Sequence, residues 1–129
     1  ASYNLTYLDP DLEAEVDSVV GAFMLLRTEA LAETGSLDET FFMYGEDLDL
    51  CQRLKSIGWR VIYWPEVTVL HYKRAASSGS QRAKVEFFRA MRIFYDKHQA
   101  AGALPLERAG VMLGIRAAER FVGCGGRSA

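Results

Sequence analysis

FFMYGEDLDLCQR, residues Phe41 to Arg53, is the stretch on which the reading of this chain turns. An aromatic run meets Gly45, and the adjacent acids Glu46 and Asp47 follow at what the spacing predicts to be a helix N-terminus. The helix is expected from about Glu46 to Ile57, stopped by Gly58, with Leu50, Cys51, Leu54 and Ile57 as its apolar stripe. Asp47 lies one turn before Cys51 and so points along the inward face, where a carboxylate is expensive unless it has work or partners. Backbone N–H groups at the helix start stabilise negative charge there. The plainer reading of the same residues is a helix end closed by first-turn acids, with Asp49 and Arg53 as an i,i+4 pair.

Working upstream, Thr28 to Thr34 fits a short helix with Thr28 as N-cap, Glu29 in the first turn and Gly35 at C′. Val19 to Leu26, an apolar run containing Gly21, reads as a buried strand, and residues 1–18 as an irregular acidic lead-in broken by Asp9-Pro10-Asp11. Downstream, Trp59 to Trp64 and Val67 to Tyr72 read as two strands, with Val67, Val69 and His71 sharing one face. A small polar loop, Ala75 to Ser80, leads to a long helix over Gln81 to His98, whose Val85, Phe88, Met91 and Tyr95 recur at helical spacing. A last amphipathic helix is expected over Leu106 to Val122, with Arg108, Arg116, Glu119 and Arg120 gathered on one side, then a frayed tail from Gly123.

The 129 residues suit one domain, and 50% hydrophobic with 25% charged residues is the composition of a soluble globular protein. No apolar run approaches the ~20 residues of a membrane-spanning helix, and no charged leader precedes one. Cys51 and Cys124 cannot form a disulfide framework or a cysteine zinc site, which points to a reducing cytoplasm. Ala1 in place of Met suggests a piece of a longer protein. Charge is polarised: Ala1 to Leu50 hold twelve acids and the single base Arg27, whereas Lys73 to His98 hold seven bases and two acids. One end carries carboxylates and the other could meet an anion.

The ordered series VVGAFMLLR, TGSLDETFF, the Glu46-Asp47 helix start, LCQRLKSIGW and VIYWPEVTVLH resembles the C-terminal half of family 2 glycosyltransferases of the GT-A fold, especially rhamnosyltransferase-like and galactofuranosyltransferase-like members. The resemblance runs from about Val19 to His98 and implies an α/β fold: a small, incomplete mixed sheet flanked by helices. It assigns Asp47 as the catalytic base that takes the acceptor hydroxyl proton, Glu46 to the acceptor, and His71 to the divalent metal on the sugar-nucleotide diphosphate; Trp64, with Trp59 and Tyr63, could stack on the acceptor sugar, although aromatic strand residues are usually core. Lys73, Arg74, Ser80, Arg89 and Arg92, on the loop and helix after that histidine, become candidates for diphosphate contacts. An inverting displacement needs such a base on one side and neutralisation of the leaving diphosphate on the other.

The resemblance lacks the nucleotide-binding half with its Asp-x-Asp motif; Asp9-Pro10-Asp11 matches it literally but has no βα units before it. A magnesium or manganese ion belongs to the full-length enzyme, since His71 alone cannot hold one. The expectation is therefore three parts: residues 1–18 as lead-in, 19–98 as the acceptor-side and catalytic-base part of the transferase, and 99–129 as a terminal amphipathic helix and tail. The full-length enzyme would take a nucleotide-sugar donor and a glycan or lipid-linked acceptor, in the cytoplasm or at the inner face of the plasma membrane. Alone, the piece would be inactive and self-associating. The alternative is a non-catalytic binding module whose basic helix meets anionic lipid or nucleic acid; the slightly acidic total charge argues against nucleic acid.

Overall fold

The computed structural model describes residues 7–72 and 80–124. Lys73, Arg74, most of the expected Ala75–Ser80 loop, the start of the lead-in and the tail beyond Cys124 lie outside the described residues. Four helices and one small sheet follow in the order β1 (Ala14–Glu15), α1 (Thr28–Thr34), α2 (Glu46–Ser56), β2 (Ile62–Tyr63), α3 (Gln81–His98) and α4 (Pro105–Cys124).

The helices lie close to where their sequence signals put them. Gly35 ends α1 at φ 80° and Gly58 follows the C-cap of α2 at φ 93°, both in the left-handed region that favours glycine. Arg27, not Thr28, takes the N-cap position of α1, with no side-chain hydrogen bond. Ser80 caps α3, its hydroxyl accepting from the Ala83 N–H at 3.4 Å. Pro105 opens α4 at the position where a missing N–H costs nothing.

The sheet corrects the expectation of a mixed one. It has two antiparallel strands, with Ala14 opposite Tyr63 and Glu15 opposite Ile62, so the lead-in is not wholly irregular. The Val16 N–H extends the pairing to the Val61 carbonyl at 2.9 Å, and Arg60 meets Glu15 at 2.8 Å. Val19–Leu26 and Val67–Tyr72 form no strand, and Val20, Phe23, Leu25, Val67, Val69, Leu70 and Tyr72 are exposed. The physical reason is that strand-like apolar composition becomes a ladder only beside a partner, and these segments have none among the described residues.

Two small apolar clusters meet on α2. Val16, Cys51 and Val61 pack with Leu8, Ala14 and Val19, while Ala30, Leu50 and Leu54 pack with Leu26, Leu31 and Trp59; Met24 touches both. Ile57, expected in the same stripe, is exposed, because the helix has ended beneath it. The Cys51 thiol is free and its pKa is pushed up, chiefly by burial. Trp59 is fixed by a hydrogen bond from Nε1 to Glu33 at 2.9 Å.

A buried ionic cluster fastens α2 to its neighbours. Asp49 has no exposed surface; its Oδ2 pairs with Arg53 Nε at 2.8 Å, and its Oδ1 meets both Lys97 Nζ and His98 Nε2 at 2.7 Å. Lys97 also reaches Asp38 at 2.6 Å, and Arg53 donates to the Thr34 carbonyl at 2.6 Å and the Ser36 carbonyl at 2.8 Å. Arg53 thereby satisfies carbonyls at the C-terminal end of α1 while balancing Asp49, and Lys97 ties the acidic half of the chain to the basic helix. The Asp49–Arg53 pair is thus part of a buried network, in which Asp49 also holds His98.

Burial alone would raise the Asp49 carboxyl, but hydrogen bonds from Lys97, His98 and Arg53 outweigh it and hold the group below its ordinary range. Asp38 is lowered strongly, first by Lys97 and then by Thr40. Desolvation of Lys97 is outweighed by Asp38 and Asp49, so its pKa is raised. Carboxyls depressed on folding contribute stability that is complete above their unfolded values near ~4 and lost as pH falls through the folded values. Lys97 contributes below its unfolded value near ~10.4 and loses that contribution as pH rises through the folded one. Thermal unfolding followed by circular dichroism should therefore show a falling midpoint below about pH 4. Asp49→Ala should cost about 3 kcal/mol at neutral pH and flatten that acid limb, because two cations and an imidazole lose their shared acceptor.

Candidate functional site

The start of α2 is built on an unusual backbone. Tyr44 has φ 67°, a left-handed conformation rare for an aromatic residue, and Gly45 follows at φ 84° as the N-cap. A Cβ on Gly45 would lie 3.1 Å from Cδ1 of buried Phe41, so the position demands glycine twice over. This double left-handed turn releases the chain from the aromatic run and delivers Glu46 and Asp47 as the first two helical residues.

Asp47 is half-buried, and both of its carboxylate oxygens are engaged. Oδ2 accepts the Gly21 N–H at 2.8 Å and Oδ1 accepts the Leu48 N–H at 2.8 Å. Gly21 must come close to do this: a Cβ there would sit 3.3 Å from the Asp47 Cβ. The glycine in the apolar segment VVGAF therefore serves the first turn of α2, a link across 26 positions that local pattern could not disclose. Beside it, Glu46 Oε2 is buried with no hydrogen-bond partner among the described residues. Gly21 also lines an open apolar groove of about 480 Å³ with Phe23, Met24, Leu31, Leu37 and Leu50.

The other predicted residues are spread more widely. Trp64 and His71 are both exposed, Trp64 just after β2 and His71 in the irregular segment that follows. No hydrogen bond or ion pair joins Asp47 to His71 among the described residues. Ser80 is exposed and occupied in capping α3. Arg89 is exposed and pairs with Glu86 at 3.4 Å, while Arg92 is half-buried with Nε unpartnered, in a cleft between α3 and α4. Asp9-Pro10-Asp11 forms a local turn in which Asp9 Oδ1 accepts the Asp11 N–H at 3.0 Å.

A divalent ion finds no ready cage here. No three His, Cys, Asp or Glu side chains cluster among the described residues, and one imidazole does not satisfy magnesium or manganese, which take oxygen donors. The residues present do not fit such a metal by themselves.

Residues 5–91, well over half of the chain, match the sequence profile described as glycosyltransferase like family 2. The chain belongs to that family. Among its relatives, the N-acetylglucosaminyl-diphospho-decaprenol L-rhamnosyltransferase of Mycobacterium tuberculosis is 40% identical over 82 residues, 64% of this chain and 26% of its own length. Rhamnosyltransferase WbbL of Escherichia coli is 42% identical over 57 residues, 44% of this chain and 22% of its own. O-antigen biosynthesis protein RfbC of Myxococcus xanthus is 28% identical over 71 residues, 55% of this chain and 6% of its own. This family 2 chain thus spans about a quarter of the length of the first of these relatives. No solved structure matches it.

The matched span contains α2 and the double turn before it, so the cost of disturbing that turn can be set against a control. Gly45→Ala and Gly58→Ala both force a positive φ on a residue with a Cβ, worth about 1–2 kcal/mol. Only the Gly45 Cβ also meets a ring; nothing lies within 4 Å of the other. Urea unfolding should rank Gly45→Ala clearly below Gly58→Ala, and equal midpoints would show that the Phe41 contact is soft.

Proposed function

We propose that this chain is the acceptor-side and catalytic-base part of a longer, inverting glycosyltransferase of GT-A architecture. Residues 19–98 would carry the chemistry, 1–18 would lead into it, and 99–129 would supply a terminal helix. The longer enzyme would move a sugar from a nucleotide-sugar donor to a hydroxyl of a cell-surface glycan or lipid-linked acceptor. Rhamnose is the first candidate, because the relatives from Mycobacterium tuberculosis and Escherichia coli are named rhamnosyltransferases. A diphospho-decaprenol acceptor is suggested by the name of the former.

The observation that carries this reading is the pairing at the start of α2. Asp47 is oriented by two backbone N–H groups, and Glu46 beside it holds a buried oxygen without a partner. A carboxylate fixed in this way can accept a proton without first reorganising, and an unsatisfied acceptor next to it is where a sugar hydroxyl would repay its burial. In the proposed reaction the acceptor oxygen attacks the anomeric carbon, the bond from that carbon to the diphosphate oxygen breaks, and the hydroxyl proton passes to Asp47. Glu46 and Trp64 would orient the acceptor, Trp64 by stacking its exposed ring on a sugar face. His71 would be one donor of a metal site completed from outside this chain. Lys73, Arg74, Ser80, Arg89 and Arg92 would lie towards the diphosphate. The exposed apolar segments Val19–Leu26 and Val67–Tyr72 would gain strand partners in the longer protein.

In that enzyme, Asp47→Asn should lower kcat by two or more orders of magnitude with the donor KM nearly unchanged, since the amide keeps the size but cannot take the proton. Wild-type-like turnover would remove Asp47 from the role. His71→Ala should shift the metal concentration needed for half-maximal turnover upward, and an unaltered titration would leave His71 as a surface residue. The chain by itself should show no transfer above background.

A further inference from the structure

Helix α4 is amphipathic in an unexpected sense. Its inward side packs on α3 through Ile115, and Arg108 reaches Asp96 on that helix at 3.2 Å. Its outward side carries Leu106, Leu113 and Phe121, which are 87%, 71% and 84% exposed and fall about two turns apart on one side of the helix. Gly110 and Gly114 lie along the same side, and a Cβ at either would meet nothing within 4 Å. A helix packed in water ordinarily buries its large apolar residues and shows its charges; here the three largest outward residues are bare.

Cations border this strip. At 100° per residue Arg120 and Arg116 fall directly beside Leu113, and both also line the cleft of about 450 Å³ between α3 and α4, with Arg92, Val85, Glu119 and Gly123. Arg92 Nε is buried with no partner among the described residues. Over residues 80–124 the helical pair holds eight Lys or Arg against four Asp or Glu, the reverse of the acidic N-terminal half. An apolar strip next to a row of guanidiniums complements a surface with hydrocarbon below and phosphate at its rim.

We propose that α4 is an interfacial helix by which this chain docks on anionic phospholipid. Leu106, Leu113 and Phe121 enter the headgroup–acyl boundary while Arg116 and Arg120 take lipid phosphates at the mouth of the α3–α4 cleft. No helix among the described residues is long and apolar enough to cross a membrane. An interfacial helix of this kind gives a peripheral, reversible contact. The proposal goes beyond the transferase reading and does not depend on it: the surface exists whether or not Asp47 is a base.

The test is co-sedimentation of the chain with vesicles of phosphatidylcholine alone and of phosphatidylcholine mixed equally with phosphatidylglycerol, in low and high salt. Binding should be confined to the anionic vesicles and weakened by salt. The double substitution Leu113→Glu with Phe121→Glu changes two exposed side chains, so circular dichroism should be unchanged while vesicle binding falls at least about tenfold. Arg116→Gln with Arg120→Gln should lower binding to anionic vesicles and leave the weak background on neutral ones as it was. Failure of the unaltered chain to sediment with anionic vesicles overturns the proposal. So does undiminished binding by the double-Glu variant, or a dimer that this variant converts to monomer while neither form touches vesicles, which would make the strip a contact between copies.

Discussion

Asp49, a carboxylate removed from water, determines how the rest of this small structure is held. An isolated buried charge would be intolerable, and Asp49 is tolerated because three donors from two helices converge on it. Each donor then does something further: Arg53 closes the end of α1, Lys97 reaches Asp38, and His98 fixes the last turn of α3. Among the described residues there are only two short strands and two small clusters of buried side chains, so directional polar contacts do there what apolar burial does in a larger domain.

That arrangement matters for function because Asp49 and Asp47 share a helix. Fixing α2 by Asp49 from within, and by Gly45 and Tyr44 at its start, leaves little freedom in where the Asp47 carboxylate can go. The Gly21 N–H then sets its orientation. A proposed general base is useful in proportion to how little it must reorganise, and every contact named here limits that motion. The terminal helix presents an exposed apolar strip bordered by Arg116 and Arg120.

What the sequence disclosed and what it concealed divide along physical lines. Helices α2 and α3 were readable because their signals are local: an acid pair after Gly45, a serine before Gln81, and apolar residues three and four apart. Strands were not, since pairing of Ala14 and Glu15 with Tyr63 and Ile62 is a property of two distant segments. The apolar character of Val19–Leu26 and Val67–Tyr72 was real, but no partner follows from it. The pairing of Asp49 with Arg53 was legible, but its burial and its contacts with Lys97 and His98 were not, because those partners lie on another helix, although His98 continues the spacing of Met91 and Tyr95 and Asp49 is flanked by Leu48 and Leu50. A charged residue set within two apolar rows, matched by a histidine at the end of another, was the available signal. For α4 the charges were seen to gather on one side, but which side would face α3 depended on tertiary packing.

If the carboxylate at the start of α2 receives the acceptor proton, a structure of the proposed longer enzyme with donor analogue and acceptor bound will hold an acceptor hydroxyl within ~2.6–3.2 Å of an Asp47 oxygen, with α2 still anchored through Asp49. An acceptor seated elsewhere, with Asp47 still bound only to the Gly21 and Leu48 amides, would contradict it.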